Sequence, residues 1–516
     1  MIEQLGDWPA VPPAQTVHEA IGWWAERTPD APALLDIDGG TVSFRELMTR
    51  IGAFGARLAS LGVGRGDRVV LALPDGVGAA IAGLGASGTA IGVPVNPAQA
   101  WREAEPMFAA LEPSVVVVGE KTDAVFRDLA IRAGVPVLEL DGAGRLEGGK
   151  APGRPSNPAP APNDLALILM TSGTTDRPRR VPVSHSALLL TCAARVQARK
   201  LTPRDRGLSS APAYFVLGLA RVAESLIAGG SAIVTSTAEM VRRPHAIRDA
   251  RPTWAWLSPA VLETILEAAR DNTAFAEWPL RYVRSGGALV TPDLIARAQD
   301  LWGVPVLNGY GTTETLGYIA SEESPATIPR KPGSVGLPRP GLAVSIRGPA
   351  GEPLAPGVAG EIAVRGPGVF PGYLDDAQAT AEAFFPGGWY RTGDLGHVDA
   401  EGYLFVSGRV REMINRGGEK IAPSEIDDVL RAHPAVADAA AFGLPHARLG
   451  EEAAAAVVLR EPGALSARAV RRWAASRLSL HKVPHRIWFV ADLPRTGSGK
   501  VQRGVLAERF RNAANG

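Results

Sequence analysis

Short apolar runs recur along the chain at Arg68–Leu73, Ser114–Val118, Val135–Leu140, Leu165–Met170, Ser231–Thr235, Arg281–Arg284 and Val304–Leu307. Each has the length of a buried strand, and helix-like stretches lie between them. Strands alternating with helices point to parallel sheets, because parallel neighbours need a crossover connection. The helices carry their own markers. Thr16–Glu19 and Ser43–Glu46 are capping boxes; the first opens a helix with Ile21, Trp23 and Trp24, and the second a helix reaching about Gly62. Residues Pro259–Ala269 set Leu262, Ile265 and Leu266 on one helical face, and Ala211–Leu219 reads as an apolar turn-like stretch.

The uncharged segment from Gly76 to Trp101 is rich in Gly, Ala and Ser and is broken by Pro94 and Pro97. It reads as a close-packed buried helix followed by a strand near Val93–Val95, not as a membrane span. Gly83, Gly85 and Gly88 match a dinucleotide fingerprint, but they fall inside that helix, where small residues serve tight packing.

At 516 residues the chain needs more than one core. After a Gly-, Pro- and Ala-rich linker at 141–163 the alternation resumes, and past about residue 333 it gives way to short strands such as Val344–Arg347 and Glu361–Arg365. Residues 412–516 read as an α+β unit. It has helices near 424–432 and 466–478, the second with Val470 and Trp473 inward, and strands at 436–442, 453–459 and 487–490. The expected fold class is therefore a large α/β N-terminal domain over 1–410, with parallel sheets plus a small β-barrel-like subdomain. A smaller α+β C-terminal domain over 411–516 completes it. A net charge of +1 offers no electrostatic case for nucleic acid or an anionic membrane. The single cysteine, Cys192, excludes an internal disulfide framework and suits a reducing cytoplasm, as does an N-terminus without a signal-peptide pattern.

The strand Leu165–Met170 empties into Thr171-Ser172-Gly173-Thr174-Thr175, with Arg177, Arg179 and Arg180 close behind. Hydroxyls, a flexible glycine and guanidiniums suit a polyphosphate, although a solvated Ser/Thr turn with a basic edge has the same composition. Loops after strands near 170, 285 and 307 lie where parallel sheets bind ligands and are expected to share one mouth.

Four stretches then stand in order: Met170–Thr175, Tyr310–Glu314, Trp389–Asp394 with Gly408-Arg409, and Pro494–Lys500. Together they resemble the adenylate-forming superfamily of acyl-CoA synthetases, stand-alone adenylation domains and firefly luciferase, over nearly the whole chain. The resemblance implies attack of a carboxylate on the α-phosphate of ATP, release of pyrophosphate, and displacement of AMP from the acyl-adenylate by a thiol. It implies ATP, Mg²⁺ and coenzyme A as cofactors, and a small carboxylic acid, CoA or an acyl carrier protein as partners of a monomer or homodimer. By the same resemblance Ser172, Thr174 and Thr175 cradle the β- and γ-phosphates, and Thr171, Gly173 and Arg179 also bind the nucleotide. Thr313 contacts the α-phosphate and Glu314 holds Mg²⁺. Gly287, Ala288, Asn308, Gly309, Tyr310, Gly311 and Thr312 surround the nucleotide, with Tyr310 on adenine, and Asp394 and Arg409 lie at the ribose. Lys500 bridges the carboxylate and the α-phosphate, Arg411 is the hinge, and Gly417 and Gly418 give a pantetheine arm room.

Several positions depart from the family. Asp176 stands for Gly, Arg179 for Lys, Arg180 for Gly, and Phe215 for a common His. Tyr214, Phe215, Val216, Leu217, Gly286, Leu316 and Gly317 are expected to form an apolar acyl pocket, which favours a hydrophobic acid. The absence of Asp and Glu from 212–219 argues against an α-amino acid, whose ammonium needs a counter-charge. The leading expectation is an ATP-dependent acyl-CoA synthetase. The alternatives are an acyl-AMP ligase that loads a carrier protein, a non-catalytic nucleotide-binding relative and, distantly, an NAD-dependent oxidoreductase suggested by residues 83–88.

Overall fold

The computed structural model describes residues 4–5, 8–9, 11–119, 124–145, 159–171, 179–209, 211–288, 290–322, 331–417, 419–446, 448–496 and 499–511. They form two compact units. The first comprises Met1–Pro332, Pro338–Leu342 and Arg365–Phe384; the second comprises Gly333–Leu337, Ala343–Val364 and Phe385–Gly516.

The first unit is built on two sheets. One runs Arg179–Ser184, Leu165–Thr171, Ile91–Pro94, Arg68–Ala72, Val115–Gly119 and Val137–Leu140, parallel except for the first pair. The other includes, in order, Ala320–Ser321, Val306–Tyr310, Tyr282–Gly286, Trp254–Trp256, Arg206–Ser209, Ser231–Val234, Pro32–Leu35 and Thr41–Ser43, antiparallel only at its flanks. The loops expected to share one mouth thus leave two sheets rather than one, since Leu165–Thr171 lies in the first and the other two strands in the second. Trp254–Trp256 and the Pro32–Ser43 hairpin had no recognisable apolar run, because these strands are only three or four residues long. The stretch read as a turn at 211–219 becomes helical at Val216 and stays so to Ile227.

The glycine-rich segment is the buried helix Val77–Thr89. A Cβ at Gly85 would stand 2.7 Å from the Phe54 ring, and one at Gly83 would stand 3.2 Å from Leu219. These glycines therefore let helices pack closely, and no nucleotide is needed to account for them. Thr16 and Ser43 are N-caps, accepting the N–H groups of Glu19 and Glu46 at 3.1 and 3.2 Å, but the return arm of the expected boxes is used elsewhere: Glu19 Oε2 accepts Gln15 N–H at 2.7 Å and Glu46 pairs with Arg50.

The buried His185 packs against the half-buried His18. His18 and His185 have ring centroids 5.6 Å apart, and His18 Nε2 bonds the Leu84 carbonyl at 2.7 Å. Burial, then His18 and Arg65 nearby, pull the His185 pKa down to about 4. The unfolded chain therefore takes up this proton first as the pH falls below about 6.5. Stability present above pH 6.5 should decline toward pH 4, by about 3 kcal/mol from His185 alone. Urea melts of wild type and His185→Leu between pH 7 and 4.5 check this, the variant losing that share of the slope.

In the second unit Trp389–Val398 pairs antiparallel with Gly360–Arg365 and with Leu404–Arg409. Beyond it Val436–His446 and Gly450–Leu459 form a long ladder, flanked by Arg486–Phe489. Pro423–Arg431 and Ala467–Ala475 bring Ile426, Leu430, Val470 and Ala474 to one apolar cluster, while Leu506 and Phe510 join Phe442 in another. Trp473 is half-buried, with Nε1 donating to the Val429 carbonyl at 2.7 Å. Among the described residues no helix is long and apolar enough to cross a membrane.

Candidate active site

In the first unit the strand Val306–Tyr310 runs into a loop that folds back on itself. Gly317 N–H donates to the Thr312 carbonyl at 2.7 Å, Thr312 N–H to Thr315 Oγ1 at 3.1 Å, and Ile319 N–H to the Tyr310 carbonyl at 2.8 Å. Leu316 and Gly317 both adopt left-handed backbone, at φ 52° and 69°. For Leu316 that conformation is unfavourable, and a buried guanidinium holds it: Arg195, fully enclosed, donates through Nη2 to the Leu316 carbonyl. The return of the loop leaves no volume at Gly311, where a Cβ would overlap the backbone of Gly317 and Tyr318.

Thr313 and Glu314 lie in the single 3₁₀ turn Thr313–Thr315 inside this loop. Glu314 is only 8 % exposed. Its Oε1 accepts the Tyr373 hydroxyl at 2.8 Å and its backbone carbonyl accepts Phe370 N–H at 2.8 Å. Burial, then the Glu314 carboxylate beside it, push the Tyr373 phenol well above its ordinary value, so it remains a donor at neutral pH. Among the described residues the Tyr373 hydroxyl is the side-chain donor to this carboxylate, and it occupies Oε1.

Neighbouring strands position the remaining residues of this unit. Gly286 pairs with Gly309, and a Cβ on Gly286 would overlap the Gly309 carbonyl; at Gly287, φ 82°, a Cβ would meet open space. Asn308 N–H donates to Glu322 Oε2 at 2.7 Å, while Asn308 Oδ1 accepts Gly309 N–H at 2.8 Å. Ala288 is half-buried in the turn that follows Gly287. Thr171 and Arg179 face one another in the antiparallel ladder. Ser172, Gly173, Thr174, Thr175 and Asp176 lie outside the described residues, as does Gly418.

Of the expected acyl-pocket residues, Tyr214, Phe215, Val216 and Leu217 lie at the start of Val216–Ile227, while Gly286 lies on the strand beside Gly309. Phe215 is the N-cap of that helix, with the Tyr214 ring 4.7 Å away, and Val216 is half-buried. Leu217 and Leu316 are buried, and a Cβ on Gly317 would come within 2.7 Å of Leu217. On another side of this helix an apolar cavity is lined by Leu71, Leu73, Ala79, Leu219 and Val222, with Asp75 as its one carboxylate. Asp75 Oδ1 accepts Ala213 N–H at 2.8 Å, and burial raises its pKa. That bond ties the Tyr214–Phe215 loop to the end of the strand Arg68–Ala72.

In the second unit Asp394 and Arg409 are cross-strand partners, Arg409 Nε lying 3.0 Å from Asp394 Oδ1. Asp394 is 5 % exposed. Arg411 is exposed in the 3₁₀ turn Val410–Glu412. Glu412 is bound by Arg503 at 3.0 Å, which also pairs with the buried Asp427 at 2.6 Å, so the segment after Arg411 is fastened to the tail's fold. Gly417 has φ 60° and donates to the Leu449 carbonyl at 2.7 Å. Lys500 closes a hairpin in which its N–H donates to Thr496 Oγ1 at 3.2 Å and its carbonyl accepts Thr496 N–H at 2.8 Å.

Sequence reasoning passed over Tyr373, Arg195 and Asp75. An aspartate between a proline and a glycine has the composition of a turn, and an arginine in a helical segment is ordinarily solvated. Their roles depend on partners 59, 121 and 138 residues away.

The model for the AMP-binding enzyme family matches residues 21–374, and that for the AMP-binding enzyme C-terminal domain matches 425–500. A sulfoacetate–CoA ligase of Cupriavidus necator is 34% identical over 503 residues, covering 95% of this chain and 96% of its own. A feruloyl-CoA synthase of Amycolatopsis is 32% identical over 507 residues, covering 96% and 99%. Among solved structures, ATP-bound MatB from Rhodopseudomonas palustris superposes with a TM-score of 0.87 at 28% identity, covering 96% of this chain and 99% of that one.

Proposed function

The chain belongs to the AMP-binding enzyme family, and from that premise we propose that it activates a hydrophobic carboxylic acid and passes it to coenzyme A. The reaction is ATP-dependent acyl-CoA formation through an acyl-adenylate. A carboxylate oxygen attacks the α-phosphorus of ATP and pyrophosphate leaves. The CoA sulfur then attacks the acyl carbon, and AMP leaves while the thiol proton passes to solvent. An anion must approach a polyanion, so the protein's task is positioning and charge neutralisation.

One observation carries the nucleotide half of this reading. Glu314 is a buried carboxylate with one oxygen bonded to Tyr373 and, among the described residues, no protein donor on the other. Mg²⁺ bound there would neutralise phosphate charge. Asp394, with Arg409 beside it, offers acceptors for the ribose hydroxyls. Thr313 and the backbone from Asn308 to Thr312 serve the α-phosphate and the base, while Lys500 steadies the carboxylate as it attacks. Arg411 acts as the pivot for 411–516, and Gly417 and Gly418 admit the pantetheine arm. The apolar character of Tyr214, Phe215, Leu217 and Leu316 supports a hydrophobic acid.

ATP–pyrophosphate exchange with a panel of carboxylic acids tests the first step. Exchange should appear with aliphatic or aryl acids and vanish on chelation by EDTA. Adding CoA, or a holo-carrier protein, and weighing the products tests the second. No exchange with any acid while ATP is bound would favour a non-catalytic relative, and a thioester formed only on the carrier would favour an acyl-AMP ligase.

A further inference from the structure

Arg179 and Arg180, the two departures at the stem of the phosphate loop, are both occupied. Arg180 donates to the Ala110 carbonyl at 2.8 Å and pairs with Asp375 at 3.2 Å, while its own carbonyl accepts Leu374 N–H at 2.9 Å. Arg68 adds a second guanidinium, 3.7 Å from Asp375. Asp375 adopts left-handed backbone at φ 54°, a region that aspartate tolerates better than most side chains. The Arg179 guanidinium lies over the ring of the adjacent Tyr373, 4.9 Å from its centroid. Tyr373 is 9 % exposed, its N–H donates to Thr380 Oγ1 at 2.9 Å, and its hydroxyl donates to Glu314.

These contacts form one connected path. It starts at Arg179, paired with Thr171 across the stem, crosses the Tyr373 ring, and ends on the Glu314 carboxylate. An arginine suits this place better than a lysine because a planar guanidinium stacks on an aromatic face while keeping its charge.

We propose that Arg179, Arg180, Tyr373 and Asp375 form a clasp that joins the stem of the phosphate loop to the cation-holding carboxylate, with Tyr373 as the positioning residue for Glu314. The clasp couples triphosphate binding to cation binding. It also gives Arg180 a purpose where the family has glycine: its ion pair fixes the loop that presents Tyr373. The proposal rests on the reading of Glu314 as the Mg²⁺ ligand.

The test uses the full chain and Mn²⁺ as the probe, with a non-hydrolysable ATP analogue. Free Mn²⁺ is followed by electron paramagnetic resonance, and the KM for ATP by pyrophosphate exchange. Tyr373→Phe keeps the ring under Arg179 and removes only the hydroxyl. It should raise the Mn²⁺ dissociation constant about tenfold or more, the usual effect of losing a group that orients a metal ligand. Arg179→Lys should weaken Mn²⁺ by several-fold, and the double variant should be no worse than Tyr373→Phe alone, because Arg179 acts through that tyrosine. A structural role alone would lower the melting temperature and leave Mn²⁺ affinity unchanged. The clasp is overturned if Tyr373→Phe binds Mn²⁺ as wild type does, or if the two single effects multiply. Should wild type itself bind no Mn²⁺ with the analogue and exchange no pyrophosphate, the Glu314 reading falls and the clasp falls with it.

Discussion

Lys500→Ala should lose adenylation by about 10²-fold or more, because one preorganised charge at the reacting oxygens is worth that much. The same variant should still convert a supplied acyl-adenylate to thioester. Lys500 sits in a hairpin whose two bonds to Thr496 are made by its backbone N–H and carbonyl, which alanine also supplies. Gly418→Leu is expected to show the opposite defect, with normal pyrophosphate exchange and slow thioester formation. Single-turnover assays of the two half-reactions separate the cases. If both variants fail in the same half-reaction, the assignment of Arg411 as a pivot between them is wrong.

Gly311→Ala tests the other half of the site without appeal to any relative. The added methyl would overlap the backbone of Gly317 and Tyr318, and neither can retreat while Arg195 holds the Leu316 carbonyl. Overpacking against backbone should cost about 3 kcal/mol or more. For a unit of this size that is a fall of roughly 4 °C in Tm. The KM for ATP should rise with it, since the same loop carries Thr313 and Glu314. Gly287→Ala is the control. Its φ of 82° carries strain of about 1 kcal/mol, but open space surrounds it, so a small loss of stability is expected. Calorimetry and exchange kinetics on the two variants distinguish steric overlap from backbone strain.

The sequence was most legible where physics is local. Apolar runs such as Val115–Gly119 are strands because the hydrophobic pattern, turn residues and burial all agree. Capping residues announced the helices at Val17 and Phe44 for the same reason. The glycines at 83 and 85 were readable because a fingerprint inside a helix cannot present a strand-to-helix turn. Legibility ended where a residue's meaning depends on a distant partner. Arg180 reads as an anomaly in the phosphate loop until Asp375 is beside it, and Tyr373 reads as an ordinary buried aromatic until it meets Glu314. Trp254–Trp256 is too short to show a period, so only its place in the sheet identifies it as a strand.

The interleaving of the two units imposes an order on biosynthesis. Glu314 leaves the ribosome 59 residues ahead of Tyr373, and the intervening polypeptide includes Ala343–Val364, which belongs to the other unit. A nascent chain that has just completed Pro332 holds the Glu314 carboxylate but not the Tyr373 phenol that bonds to it. On the proposed roles of Glu314 and Tyr373, nucleotide competence would therefore arrive late in translation, after the second unit has begun to emerge.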